Sequence, residues 1–151
     1  VVIVAAHKTK KLPQRQLNEV CAKINHPIIL LWGREDHSHA VEIASVDPVT
    51  IYNACGKFNL AESADLVRRS KFIITHDTGL MHIAAALNKK LIAIFGSSDP
   101  AHTPPMSPNA VIEYLALDCS PCFKRECPLT GDAHLRCLSD VKPQPIVQKI
   151  F

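Results

Sequence analysis

Long apolar runs are absent from this 151-residue chain. None approaches the roughly eighteen residues that a membrane-spanning helix needs. A secretory signal is missing too: in "VVIVAAHKTKKLP" the basic residues follow the apolar ones, the reverse of a signal peptide. There is no initiator Met, and a chain that opens inside an apolar strand reads as one domain of a longer protein. Neither an internal repeat nor a low-complexity segment occurs. A strong charge of one sign is also lacking. The formal charge of +3 is too mild to indicate nucleic-acid binding, yet it would not repel a phosphate-bearing ligand. No G-x-G-x-x-G follows a strand and no Walker-type loop is present, so neither a dehydrogenase fingerprint nor a P-loop is available.

What is present is the composition of one globular domain, 47% apolar and 21% charged, with enough length to bury a core. Val1 to Ala6, "PIILLWG", "VTIYNA", "KFIIT" and "KLIAIFG" read as strands, and Val111 to Leu117 as one more. Between them, "PQRQLNEVCAKIN" carries Leu17, Val20, Cys21 and Ile24 at helical spacing, with Pro13 suited to a first turn. "EDHSHAVEIAS" reads as a polar-faced helix. "NLAESADLVRRS" opens on Asn59 with Glu62 three residues on, a capping-box pattern. "TGLMHIAAALN" is expected to bury Leu80, Ile83, Ala84 and Leu87. Strict alternation of strand and helix predicts an α/β fold, a Rossmann-like doubly wound parallel sheet. Seven of the eleven prolines follow Pro100, so the last third is expected to be an irregular, loop-rich edge.

In such sheets ligands bind outside the carboxyl ends of the strands, which directs attention to the strand ends. Asp77-Thr78-Gly79 joins a strand to a helix. Asp77 or Thr78 can cap that helix, Gly79 allows close approach of a backbone or a ligand, and Thr78 and His82 share the side away from the core. An ordinary cap with a surface histidine would look the same. A second junction, "FGSSDP", also ends a buried strand in small polar residues, so two crossings would present donors to one crevice. Lys8, Lys10 and Lys11 follow the first strand and can meet a phosphate or simply decorate a solvated turn. Glu35 and Asp36 follow Gly33 and suit ribose hydroxyls or, equally, a helix dipole. Cys119, Cys122, Cys127 and Cys137, with His134 nearby, could hold a structural Zn²⁺, form disulfides or remain reduced packing thiols. Cys21 is expected in the core.

"THDTGLMHIAAAL", "FGSSDP", "CSPCFKRECP" and "TKKLP" together resemble the C-terminal half of glycosyltransferase family 9, the ADP-heptose:lipopolysaccharide heptosyltransferases. The likeness runs over the whole chain, and Asp-Thr-Gly-Leu-Met-His is its most specific block. It implies the C-terminal half of a GT-B fold: residues 1–151 as the nucleotide-sugar domain, with a Cys-rich loop at 119–137 and the acceptor domain absent. By the same resemblance Asp77, Thr78, Gly79, Leu80 and His82 surround the donor diphosphate and sugar, and Lys10 contacts phosphate. Asp36, with Glu35 as the alternative, stands for the ribose carboxylate. No catalytic residue is expected in this chain, since the base belongs to the other domain. The resemblance further implies an ADP-sugar donor, a lipopolysaccharide core acceptor, no metal in the chemistry, and a cytoplasmic protein at the inner face of the bacterial inner membrane. Two other functions fit the same residues: a nucleotide-sugar epimerase of GT-B architecture, and a non-enzymatic binding module built on the cysteine loop.

Overall fold

The computed structural model describes residues 1–4 and 7–150. It contains a six-stranded, wholly parallel sheet. The strands are β1 (Val2–Val4), β2 (Ile28–Leu30), β3 (Ile51–Asn53), β4 (Phe72–His76), β5 (Lys90–Phe95) and β6 (Ala110–Tyr114). Their spatial order is β3-β2-β1-β4-β5-β6. This is the doubly wound order, whose direction of winding reverses between β1 and β4. Of the first predicted strand, Ala5 and Ala6 lie outside the described residues.

Helices α1 (Gln14–Lys23) and α2 (His37–Ala44) join the first three strands, and α3 (Leu60–Arg69) and α4 (Gly79–Ala86) the next. Two apolar clusters separate the faces of the sheet. Ile92 and Ile94 of β5 join Leu17, Val20 and Cys21 of α1 and Ala40 and Ile43 of α2. Leu91, Ala93 and Phe95 point the other way, to Val67 of α3 and Met81, Ala84 and Ala85 of α4. The period of two along β5 is the pleat itself, and both faces are apolar because both are covered.

The capping box at the start of α3 forms as expected: Asn59 Oδ1 accepts from the Glu62 N–H at 2.9 Å, and Glu62 returns the bond to the Asn59 N–H at 2.8 Å. Pro13 stands just before α1, and its carbonyl accepts the first helical bond, from the Leu17 N–H at 3.1 Å. α2 is preceded by a single 3₁₀ turn at Arg34–Asp36.

Two expectations need correction. The buried stripe of α4 is Met81, Ala84 and Ala85, while Leu80 and Ile83 are half-buried and Leu87 is exposed. The tail is not wholly irregular either. After the loop it forms α5 (Arg136–Ser139) and α6 (Pro143–Gln148), and Leu138, Val141, Ile146 and Val147 pack into the cluster beneath α1. The crossover from β5 to β6 contains no helix, and Val111 and Ile112 on the edge strand are exposed.

Candidate functional site

Lys10 and Asp77 meet where the winding reverses. Lys10 follows β1, Asp77 follows β4, and their Nζ–Oδ2 distance is 2.6 Å. Burial would push the Asp77 carboxyl up. The Lys10 ammonium, with help from the Ser98 and Thr103 hydroxyls, overcomes this and holds it below the ordinary carboxylate value. The Thr103 hydroxyl stands 3.4 Å from Oδ1. Ser98 Oγ is buried and makes no hydrogen bond of good geometry, though it lies close enough to Asp77 to favour its charge.

Next to this pair stands the N-terminus of α4. Thr78 is extended and caps the helix, its Oγ1 accepting from the Met81 N–H at 3.3 Å. The N–H groups of Gly79 and Leu80, in the same first turn, have no helical acceptor, so this end carries a partial positive charge. A Cβ added at Gly79 would meet no protein atom within 4 Å. The space above that turn is open to a ligand rather than filled by another backbone.

These groups line a cavity of about 730 Å³ with Lys8, Lys11, Gly33, Glu35, Asp36 and His82. Six of the seven predicted site residues therefore share one cavity. The seventh, Leu80, faces the adjoining cavity of about 370 Å³, whose walls include Leu31, Ala54 and Phe58. A comparable cavity of about 770 Å³ lies at the opposite edge, among strand-start residues such as Val2 and Phe72, and its lining is mainly apolar.

Asp36 is less free than its position suggested. Lys11 Nζ takes its Oδ1 at 2.5 Å and lies 5.3 Å from the centre of the Trp32 ring. Trp32 is itself fixed by a bond from its Nε1 to the Ile3 carbonyl at 3.1 Å. Glu35 lines the same cavity and makes no ion pair among the described residues. The serines of "FGSSDP" do not line this cavity, and Ser98 acts on it only from behind Asp77. Ser97 and Ser98 are both buried, and Ser97 Oγ donates to Thr9 Oγ1 at 3.2 Å.

His76 is a structural feature that the strand pattern concealed. It is fully buried; Nδ1–H donates to the Val4 carbonyl at 2.7 Å and Nε2 accepts from the Leu12 N–H at 3.0 Å. It thus pins the lysine loop to β4. Burial is the main cause that pushes its pKa down to about 4, so the ring is neutral. A mainly apolar strand ending in Thr75-His76 was the available signal, and it reads equally as a surface ligand.

All six cysteines are free thiols. Among the described residues no group of three or more His, Cys, Asp or Glu side chains is arranged to hold a metal ion. Cys137 is buried, and its thiol is pushed up to about 11, chiefly by burial and also by Cys119, Cys122 and Cys127 nearby. The Leu135 N–H donates to Cys127 Sγ at 3.3 Å. Cys21 lies in the core, as expected.

Residues 1–132 match glycosyltransferase family 9 (heptosyltransferase). The chain belongs to this family. Lipooligosaccharide heptosyltransferase 2 of Haemophilus influenzae is 37% identical over 101 residues, 64% of this chain and 29% of that protein. Its Haemophilus ducreyi counterpart is 36% identical over 141 residues, 89% of this chain and 40% of that protein. The solved structure of Escherichia coli ADP-heptose LPS heptosyltransferase II superimposes with a TM-score of 0.82 at 26% identity, covering 99% of this chain and 44% of that one. The chain thus spans less than half the length of these family 9 relatives, and the α/β architecture is that of the heptosyltransferase structures.

Proposed function

We propose that the carboxyl-edge cavity binds the diphosphate and sugar of an ADP-heptose-like donor. On this reading the chain is the donor domain of a two-domain, inverting GT-B transferase that extends a lipopolysaccharide core. The observation that carries it is the Lys10–Asp77 pair beside the open N-terminus of α4, at the reversal point of a family 9 sheet. Lys10 and the free N–H groups of Gly79 and Leu80 meet the phosphates. Asp77 fixes Lys10 and accepts from sugar hydroxyls, and Thr78 and His82 border the same anion. Asp36 or the unpaired Glu35 takes the ribose, and the apolar cavity beside Leu80 receives the base.

Departure of a nucleoside diphosphate leaves extra negative charge on its terminal phosphate, and Lys10 with the helix terminus stabilises that charge as it develops. His76 has both nitrogens engaged inside the core and Asp77 is paired with Lys10. On the family 9 reading these groups and His82 surround the donor, and the base that activates the acceptor hydroxyl is supplied by the other domain. The chemistry requires no metal, and the enzyme works at the cytoplasmic face of the inner membrane.

The test is a transfer assay with the full-length protein, ADP-heptose and a lipopolysaccharide core acceptor in the presence of EDTA. Acceptor-dependent release of ADP is expected there, and none from residues 1–151 alone, because proximity of both substrates to the base supplies much of the rate. Turnover by the isolated chain would show that the base has been misplaced.

A further inference from the structure

The Cys-rich loop is sewn to the carboxyl edge by long-range hydrogen bonds. The N–H groups of Cys122 and Phe123 both donate to the Ser97 carbonyl, at 3.0 and 2.7 Å, and the Ser97 N–H donates to the Thr9 carbonyl at 3.2 Å. Thr9 Oγ1 donates to the Lys124 carbonyl at 2.7 Å, and Ser120 Oγ donates to the Gly96 carbonyl. Thr9 and Ser97 are each only 3% exposed. The backbone at Lys124 is therefore fixed against the lysine loop, so the Lys124 and Arg125 side chains spring from a backbone held by groups far away in sequence.

A cavity of about 210 Å³ lies between these segments, with Thr9 and Ser97 on its floor and His7, Lys10, Lys124 and Arg125 around it. It shares His7 and Lys10 with the diphosphate cavity. That larger cavity shares Gly33, Thr78 and Gly79 with the apolar one on its other side. The three therefore form a row: base, diphosphate, and a basic pocket beyond. Lys124 and Arg125 make no ion pair among the described residues, and Glu126, next in sequence, does not line the cavity. The volume is below the roughly 300–1,000 Å³ of pockets that enclose a whole small ligand, so it suits one charged group of a larger molecule.

We infer that this cavity is a second anion subsite, which takes a carboxylate or phosphate of the sugar acceptor beside the donor's diphosphate. The inference rests on the donor reading above. A donor bound across the first two cavities leaves the third as the place next to its sugar end. A planar guanidinium and a flexible ammonium match a carboxylate or phosphate there, while the Thr9 and Ser97 hydroxyl protons stay committed to the Lys124 carbonyl and to Thr9 Oγ1 and only hold the floor in place.

The test uses the full-length protein and the double variant Lys124→Gln/Arg125→Gln. Both side chains are exposed, so the fold should be unaffected. ADP affinity is measured by calorimetry, and acceptor KM with a core oligosaccharide before and after its anionic groups are removed. The expected result is an acceptor KM raised about tenfold, ADP affinity within about twofold of wild type, and no effect of the substitutions with the neutral acceptor. An unchanged acceptor KM would overturn the subsite. Equal weakening of ADP would overturn it too, and would assign the two cations to the donor's own diphosphate. Failure of the wild type to bind ADP would be a different result, since it removes the donor reading itself and the subsite with it.

Discussion

At Gly79 an added methyl group would meet no protein atom, and alanine is the better helix former by up to about 1 kcal/mol. Gly79→Ala should therefore melt at or above the wild-type temperature. Its ADP affinity should nonetheless fall about tenfold, because the open space above the turn is where a phosphate approaches the backbone. Unchanged affinity by calorimetry would move the phosphates off this turn. His76 makes a different prediction. Its pKa in the folded chain is depressed from the ordinary 6.5 to about 4, so below pH 6.5 the unfolded chain takes a proton that the folded one refuses. Stability is full above pH 6.5 and falls across the window down to pH 4, by about 3 kcal/mol in all. Denaturant midpoints measured from pH 7.5 to 4.5 should show this slope in the wild type and a flatter one in His76→Gln. That the lysines after β1 and the Asp77-Thr78-Gly79 junction would face one crevice was legible because a strand end is a local feature, and the family resemblance singled out Lys10 among them. The pairing of Lys11 with Asp36 and the burial of Ser97 against Thr9 were not legible, since the partners lie 25 and 88 residues apart.

Helix α4 shows why an element can be recognised while its face is misjudged. "LMHIAAAL" is apolar nearly all round, so two stripes one residue apart fit the same helical period. The sheet selects Met81, Ala84 and Ala85: Met81 fills the cluster, and the two alanines let the helix sit close to Ala93 and Phe95. In the tail, Pro143 followed by Ile146, Val147 and Ile150 was a usable helix signal, masked by the density of prolines around it. α5 comes close enough to the end of β5 that a Cβ at Gly96 would lie 2.6 Å from Leu138 Cγ. Gly96→Ala should therefore cost about 1–3 kcal/mol in urea denaturation by overpacking. Adding Leu138→Ala should cost less in that background than in the wild type, the non-additivity expected of residues in contact. Strict additivity would show that the two do not meet.

On the scale of the whole molecule, the fold and the site follow from one arrangement. Continuous apolar strands alternating with helices require a parallel sheet covered on both faces, and the order β3-β2-β1-β4-β5-β6 places one crevice between β1 and β4. The alternation was visible in the sequence, whereas the way the cysteine loop closes the carboxyl edge depends on contacts that no periodicity encodes. The most direct test of the donor site is a calorimetric titration of residues 1–151 with ADP, UDP and GDP, repeated with Lys10→Ala and Asp77→Ala. ADP should bind with Kd of roughly 10 μM to 1 mM, because half of a two-domain cleft is absent. UDP and GDP should bind more weakly, and each variant should weaken ADP at least about fivefold. ADP affinity that is the same in both variants as in the wild type would contradict a nucleotide diphosphate seated between Lys10 and the start of α4.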